Sequence, residues 1–329
     1  MSTSPATLRP RLRKHLRNYS TSQFNCMYRK VKYRLTLPVS LFVLGTTLIV
    51  AAPQQEVLRR EVSRTTEKEV TISLDASFGT LNILKGDRNK IVAAEYRREE
   101  DDKRQLEMFY SIEDGRGNLE INLTDEKKHR ERRSSSISWE ELKGDDNRVD
   151  ERQLTAKLTD ALPLSLKIGI GAGRGNLDLT GLRINSLKVS AGASSATLRC
   201  DEPNPISCET VTIESGVSKF SASHLTNLNF RRLKFSGGVG AYTLDFAGKL
   251  QQKAYAEIDI GLGAITVYIP KDLPARIITE DSWFSSVDVD DCYEKTRKNS
   301  YESENFAQTD RTLTIKIGSG LGSIKVRCR

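Results

Sequence analysis

Histidine is nearly absent from this sequence: His15, His129 and His224 are all there is in 329 residues. His15 falls in a basic leader, His129 in a charged stretch and His224 at an expected turn, so the three share no local context. A histidine base needs an oriented partner, and none is readable here. The serines of "SSSIS", 134–138, likewise come without a base or an oxyanion hole. Five cysteines include no C-x-x-C, the spacing that zinc sites favour. The sequence therefore points away from an enzyme, and no metal or cofactor is expected.

Acidic residues are missing from 1–34, which hold nine lysines and arginines. Charge of either sign is missing from the next stretch, "LTLPVSLFVLGTTLIVAA", 35–52. Basic, apolar and small residues in that order are the pattern of an export signal, with cleavage after Ala51. An uncleaved anchor is the alternative, since 18 residues just reach the length of a spanning helix. The positive-inside bias puts the rest of the chain outside the cytoplasm in either case. Met27 opens a compact signal of its own, and we expect it to be the true start.

The nine leader cations account for the whole formal net charge of +8. The remainder is close to neutral, so the overall charge says little about partners, and nucleic acid is not expected as one. A start at Met27 also removes Cys26 and leaves four cysteines: Cys200, Cys208, Cys292 and Cys328. An even number in an exported chain suggests two disulfides. Cys200 with Cys208 would close a small ring around "DEPNPIS", leaving Cys292 with Cys328 by elimination. Free thiols are the other reading.

What the sequence has in quantity is a repeat. "GGVGAYTLDF", 237–246, fits a template of small, any, small, any, apolar, any, apolar. Copies start at Ser77, Gly115, Gly171, Gly192, Gly216, Gly238, Gly261 and Gly320. The central starts lie 21, 24, 22 and 23 residues apart. Each unit has a second alternating run, such as "SLKVSAG" or "AEIDIG". Period-two alternation in runs of four to six residues is the mark of half-buried strands. A two-strand unit of this size cannot bury its apolar face alone, whereas stacked units share one core.

The expected fold is all-β: one parallel β-solenoid domain with coils of about 22 residues and two facing sheets. Gly171, Gly192, Gly216, Gly238, Gly261 and Gly320 are then corners, where positive φ is often needed and coils must approach closely. Two rival readings fail on what is missing. "GIGAGRG", 169–175, resembles a dinucleotide loop, but strand-like "NLDLTG" follows in place of a helix. "GGVGAY" has Tyr242 where a calcium-binding nonapeptide needs Asp.

The leader and apolar segment occupy 1–52, a charged lead-in 53–70 and the solenoid 71–329. Two mobile excursions are expected, at 124–153 and 282–309. Trp139 in the first, and Trp283 and Phe284 in the second, are candidate interaction aromatics. Alternate Asp288 and Asp290 could hold a cation or stand solvated in a turn. Outward positions Lys188, Glu214, Lys234 and Asp259 alternate in sign, which disfavours a polyanion ligand. Phe220, Tyr242 and Ile265 share a template slot that points inward, so they read as core.

The stretch 237–277, with its G-x-G repeat and the strand end "VYIPKDLP", resembles bacterial exported β-solenoid families. It is similar to the toast-rack and LiaF-type C-terminal domains and to the "putative adhesin" or head-GIN domains. The resemblance covers roughly residues 70–329 and carries no catalytic residue. It implies a cell-envelope or secreted module, adhesin-like in binding or scaffolding, with an envelope protein or a glycan as partner. The alternatives are a membrane-anchored stress-response accessory of LiaF-like type and, further off, a glycan-active enzyme. The membrane would be touched only through 35–52.

Overall fold

The structure is a computed structural model and describes residues 55–99, 102–125, 152–280 and 284–329. The leader, its apolar segment, Trp139 and Trp283 lie outside the described residues.

The chain opens with β1 (Gln55–Ser63), β2 (Glu69–Lys85) and β3 (Lys90–Glu99). A hairpin of β4 (Arg104–Glu113) and β5 (Arg116–Asp125) follows, then β6 (Gln153–Leu158). Five long strands come next: β7 (Leu164–Asp178), β8 (Ile184–Arg199), β9 (Cys208–Ser223), β10 (Phe230–Asp245) and β11 (Ala254–Ile269). Four short ones, β12 (Ala275–Thr279), β13 (Ser285–Val289), β14 (Glu294–Arg297) and β15 (Ser300–Glu302), precede the long β16 (Leu313–Cys328).

All sixteen strands belong to one sheet, ordered β1-β3-β6-β2-β7-β8-β9-β10-β11-β16-β12-β15-β14, with β4, β5 and β13 off that path. From β2 through β7, β8, β9, β10 and β11 to β16 every neighbouring pair is parallel. Antiparallel pairs are confined to the two ends of the sheet.

Burial within each long strand changes phase once. In β9, Val211, Ile213 and Ser215 are buried, Gly216 and Val217 are both exposed, and Ser218, Phe220 and Ala222 are buried. The inversion recurs at Gly192 in β8 and at Gly261 in β11. A plain strand keeps one face throughout. Here each half turns its apolar residues to the same core because the glycine step inverts the alternation. Two short strands per unit were expected; each unit is one long strand that keeps its register across the glycines, while the glycine rung itself drops out of the pairing and, between β8 and β9, residues 192–194 do so.

The links between long strands are held by buried amides. Asn204 Nδ2 donates to Ile184 O (2.7 Å) and Leu228 O (3.0 Å), and its Oδ1 accepts from Ile184 N–H (3.2 Å). Asn227 Nδ2 donates to Cys200 O at 2.9 Å and Asn229 Nδ2 to Ile206 O at 2.9 Å. Each amide satisfies backbone groups of a neighbouring link that burial would otherwise orphan.

Two boundaries differ from the expectation. The lead-in 53–70 contains β1, whose Leu58 and Val62 pack against the core, so it is part of the sheet. The segment 282–309 does not leave the stack where it is described: β13 pairs with the second half of β16, and β15 and β14 extend the sheet beyond β12. Its own alternation in "SSVDV" is short and half-polar, which hid a capping strand. The other excursion is bounded by strands ending at Asp125 and beginning at Gln153, and 126–151 lies outside the described residues.

Candidate functional site

The six template glycines stand in one row. A Cβ on Gly192 would meet Gly171 O at 2.7 Å, one on Gly238 would meet Gly216 O at 2.8 Å, and one on Gly320 would meet Gly261 O at 2.7 Å. Close approach is thus their role. Positive φ is not: it belongs two residues later, at Gly173 (135°), Gly263 (135°) and Gly322 (147°). Three of the six corners thus use a second glycine for a different reason, whereas Ser194, Ser218 and Gly240 take that place in β8, β9 and β10 without positive φ.

The four cysteines divide. Cys292 and Cys328 form a disulfide with Cα atoms 6.7 Å apart. Cys200 and Cys208 are free and buried, which corrects the expectation of a second bridge. The link between them is pinned by Asn204, and each thiol faces a carbonyl instead: Cys200 Sγ lies 3.3 Å from Glu202 O and Cys208 Sγ 3.6 Å from Thr210 O. Burial pushes both thiols up to about 12. A thiol so far from ionising is a poor nucleophile. Native protein without the leader, and so without Cys26, should therefore resist maleimide at mildly alkaline pH and gain two labelled thiols on denaturation; rapid native labelling of either would contradict this burial.

Asp288 and Asp290 do share a site, and its cation is a side chain. Arg327 pairs with Asp288 and, at 3.1 Å, with Asp290, while Asp290 Oδ2 accepts from Cys328 N–H at 2.9 Å. The guanidinium holds the Asp288 carboxyl below its ordinary range. Among the described residues no group of three or more His, Cys, Asp or Glu is arranged to hold a metal. His224 sits in the left-handed region at φ 55° with Nδ1 3.1 Å from Asp201. Phe284 is 74 % exposed.

Phe220, Tyr242 and Ile265 form one row across β9, β10 and β11 and are all buried. That row offers no aromatic platform to a glycan. A polar cluster that the sequence did not signal lies at the N-terminal end. Buried Asp102 accepts from Tyr96 Oη at 2.6 Å, and Arg152 Nε lies 3.3 Å away. Arg152 and Arg104 flank the Phe78 ring at 5.4 and 5.9 Å. Its members come from 78, 96, 102, 104 and 152, so only the fold assembles it. The Tyr96 hydroxyl is pushed up by burial and by Asp102 and stays protonated, as a structural plug requires.

Asp259 faces the opposite strain. Burial first, then Glu257 and Glu280, push its carboxyl up, so ionising it costs more in the folded state than in the unfolded chain. Its contribution favours folding below the unfolded value and is lost as pH rises through the folded one. Asp259→Asn should thus raise the urea midpoint slightly at neutral pH, with the gain vanishing in acid. A lower midpoint at neutral pH would refute that environment.

Residues 51–223 match the family described as the N-terminal domain of toast_rack, more than half of the chain. This chain belongs to the toast_rack family. In it the toast_rack region is followed, at residues 220–326, by a match to the C-terminal domain described as cell wall-active antibiotics response LiaF. The toast_rack and LiaF-like regions overlap at residues 220–223, the last four of β9, inside the parallel run. No curated protein matches. Among solved structures, the toast_rack chain is similar to a "putative cell adhesion protein" from Clostridium sporogenes, at 19 % identity and TM-score 0.44, covering 84 % of this chain and 100 % of that one. It is also similar to a "putative adhesin" from Bacteroides fragilis, at 10 % identity and TM-score 0.40, covering 84 % and 99 %.

Proposed function

We propose that this protein is a non-catalytic, extracytoplasmic β-solenoid that binds or scaffolds at the cell envelope. One observation supports the winding. β7 is 15 residues long, and Leu164 at its start pairs with Ile184, only five linking residues after its end. A straight strand of that length spans about 50 Å, whereas five residues reach at most about 18 Å. The strand must fold back on itself at Gly171–Gly173, which makes one coil of each unit. Coils so stacked present rigid, repeated faces suited to an extended partner, an envelope protein or a glycan. The apolar segment 35–52 supports export, and the Cys292–Cys328 bridge suits an oxidising compartment.

The LiaF-like match over 220–326 favours a second reading, a membrane-anchored accessory in the response to cell-wall stress. Fractionation of the native host with intact-mass measurement separates the two. A chain beginning at Ala52 in the envelope or medium, about 2 Da heavier after reduction, supports the released module (two hydrogens per bridge). An uncleaved chain in the membrane supports the anchored accessory. A reduced chain in the cytoplasm overturns both.

A further inference from the structure

The exposed apolar side chains of the long strands are not scattered. Val217, Val239, Leu262 and Leu321 are 67, 45, 47 and 51 % exposed. They occupy the same rung position of β9, β10, β11 and β16, in register. Each directly follows its template glycine, where the burial phase inverts, and so points away from the core. Phe284 continues the row beyond Leu321, its carbonyl accepting from Gly322 N–H at 3.2 Å. Five rungs make a ridge about 19 Å long. Single exposed apolar residues are ordinary, but a contiguous row marks a contact surface.

The ridge has flanks of opposite sign. On the side before the glycines the nearest outward row carries Asp75, Glu214 and Asp259 and no basic residue. On the other side the nearest row carries Arg174 and Lys219 and no acidic residue. On the acidic side the small residues leave an open groove of about 470 Å³ with Asp75 and Glu214 in its walls. Lys188, one row further out, lies 3.3 Å from Glu214.

We propose that a second copy of this chain covers the ridge, in a symmetric dimer whose two-fold axis runs along it. Rotation about that axis sets ridge on ridge, rung against rung. It also carries the basic flank of each copy over the acidic flank of the other, with Lys219 at the level of the partner's Glu214. A two-fold axis across the ridge would set acid against acid. An anionic lipid surface would meet the same acidic flank and be repelled. The contact is isologous, as closed dimers require. Eight rungs from β2 to β13 carry the contact along about 34 Å. The inference needs only register and exposure and is independent of the envelope role.

The test is disulfide trapping in the full chain, with membranes and lysate treated with a mild oxidant. Leu262→Cys lies on the axis and should give a band of twice the chain mass. Lys253→Cys, exposed on the link between β10 and β11, should give at least about tenfold less, because its sulfur lies too far from its mate. Adding Lys219→Glu to Leu262→Cys should weaken trapping about tenfold, and the further swap Glu214→Lys should restore it. Unreactive Cys200 and Cys208 in every variant show that the fold is kept. Equal trapping at 253 and 262, no trapping at 262, or failure of the charge swap to restore it overturns the dimer. So does an adduct with a different protein, or protection of Leu262→Cys from maleimide by phosphatidylglycerol vesicles.

Discussion

Gly263→Ala is expected to cost more than about 4 kcal/mol and to leave little folded protein. Two costs add at this position. Its φ of 135° is one that side chains with a Cβ rarely adopt, and a Cβ there would sit inside the van der Waals envelope of Gly240 O. Gly240 cannot retreat, because its strand is paired on both sides, to β9 and to β11. Gly322 stacks on the far side of Gly263 in the same way, so a shift would propagate along the run. Gly261→Ala is the internal control. It lies two residues away, has ordinary φ and would place its Cβ 2.9 Å from Gly238 O, for a cost of about 1–2 kcal/mol. Urea midpoints of the two variants should differ in that order. The reverse order would show that the phase inversion does not turn on Gly263.

Phe235→Ala is expected to cost about 4 kcal/mol. The ring is fully buried, 5.8 Å from the Phe220 ring and 5.2 Å from that of Tyr242, both at tilted angles that favour aromatic pairs. Phe235 precedes the glycine break of its strand and the other two rings follow theirs, so the cluster ties the two halves of the units together. Removing the central ring leaves a cavity that two rigid neighbours cannot fill. Phe235→Leu keeps most of the volume and should cost under about 1.5 kcal/mol. Tyr242→Phe loses a long hydrogen bond to Gly216 O, 3.4 Å, and should cost less than about 1 kcal/mol. Unfolding followed by circular dichroism ranks the three. A small effect of Phe235→Ala would mean that the halves do not pack on each other.

Much of this molecule is legible in the spacing of its apolar residues. Leu187, Val189 and Ala191 alternate, then Ala196 and Leu198 resume on the opposite phase, and the glycine between marks the switch. Repetition of that pattern every 21 to 24 residues identifies the stack, because each unit must borrow its neighbour to bury one face. The same spacing exposes Phe220 and Tyr242 as core. Local chemistry misled at the ends. "EVLRREVS" is charged because β1 is an edge strand with a solvated face. "SSVDV" is polar because β13 covers only half of β16.

The sequence by itself determined strand, unit length and the inward slots, since period and phase are properties of the local chain. It also determined that glycine recurs, and neighbouring strands leave no room for a Cβ at those positions. Only the tertiary structure decided which glycine carries positive φ, because that depends on how far the backbone turns at each of two neighbouring positions. It alone decided that Cys200 and Cys208 stay apart, since the Asn204 hydrogen bonds that hold their link reach residues 20 and 24 positions away. It alone gathered Val217, Val239, Leu262 and Leu321 into one ridge with an acidic and a basic flank. Register between strands is a long-range quantity, and no single unit contains it.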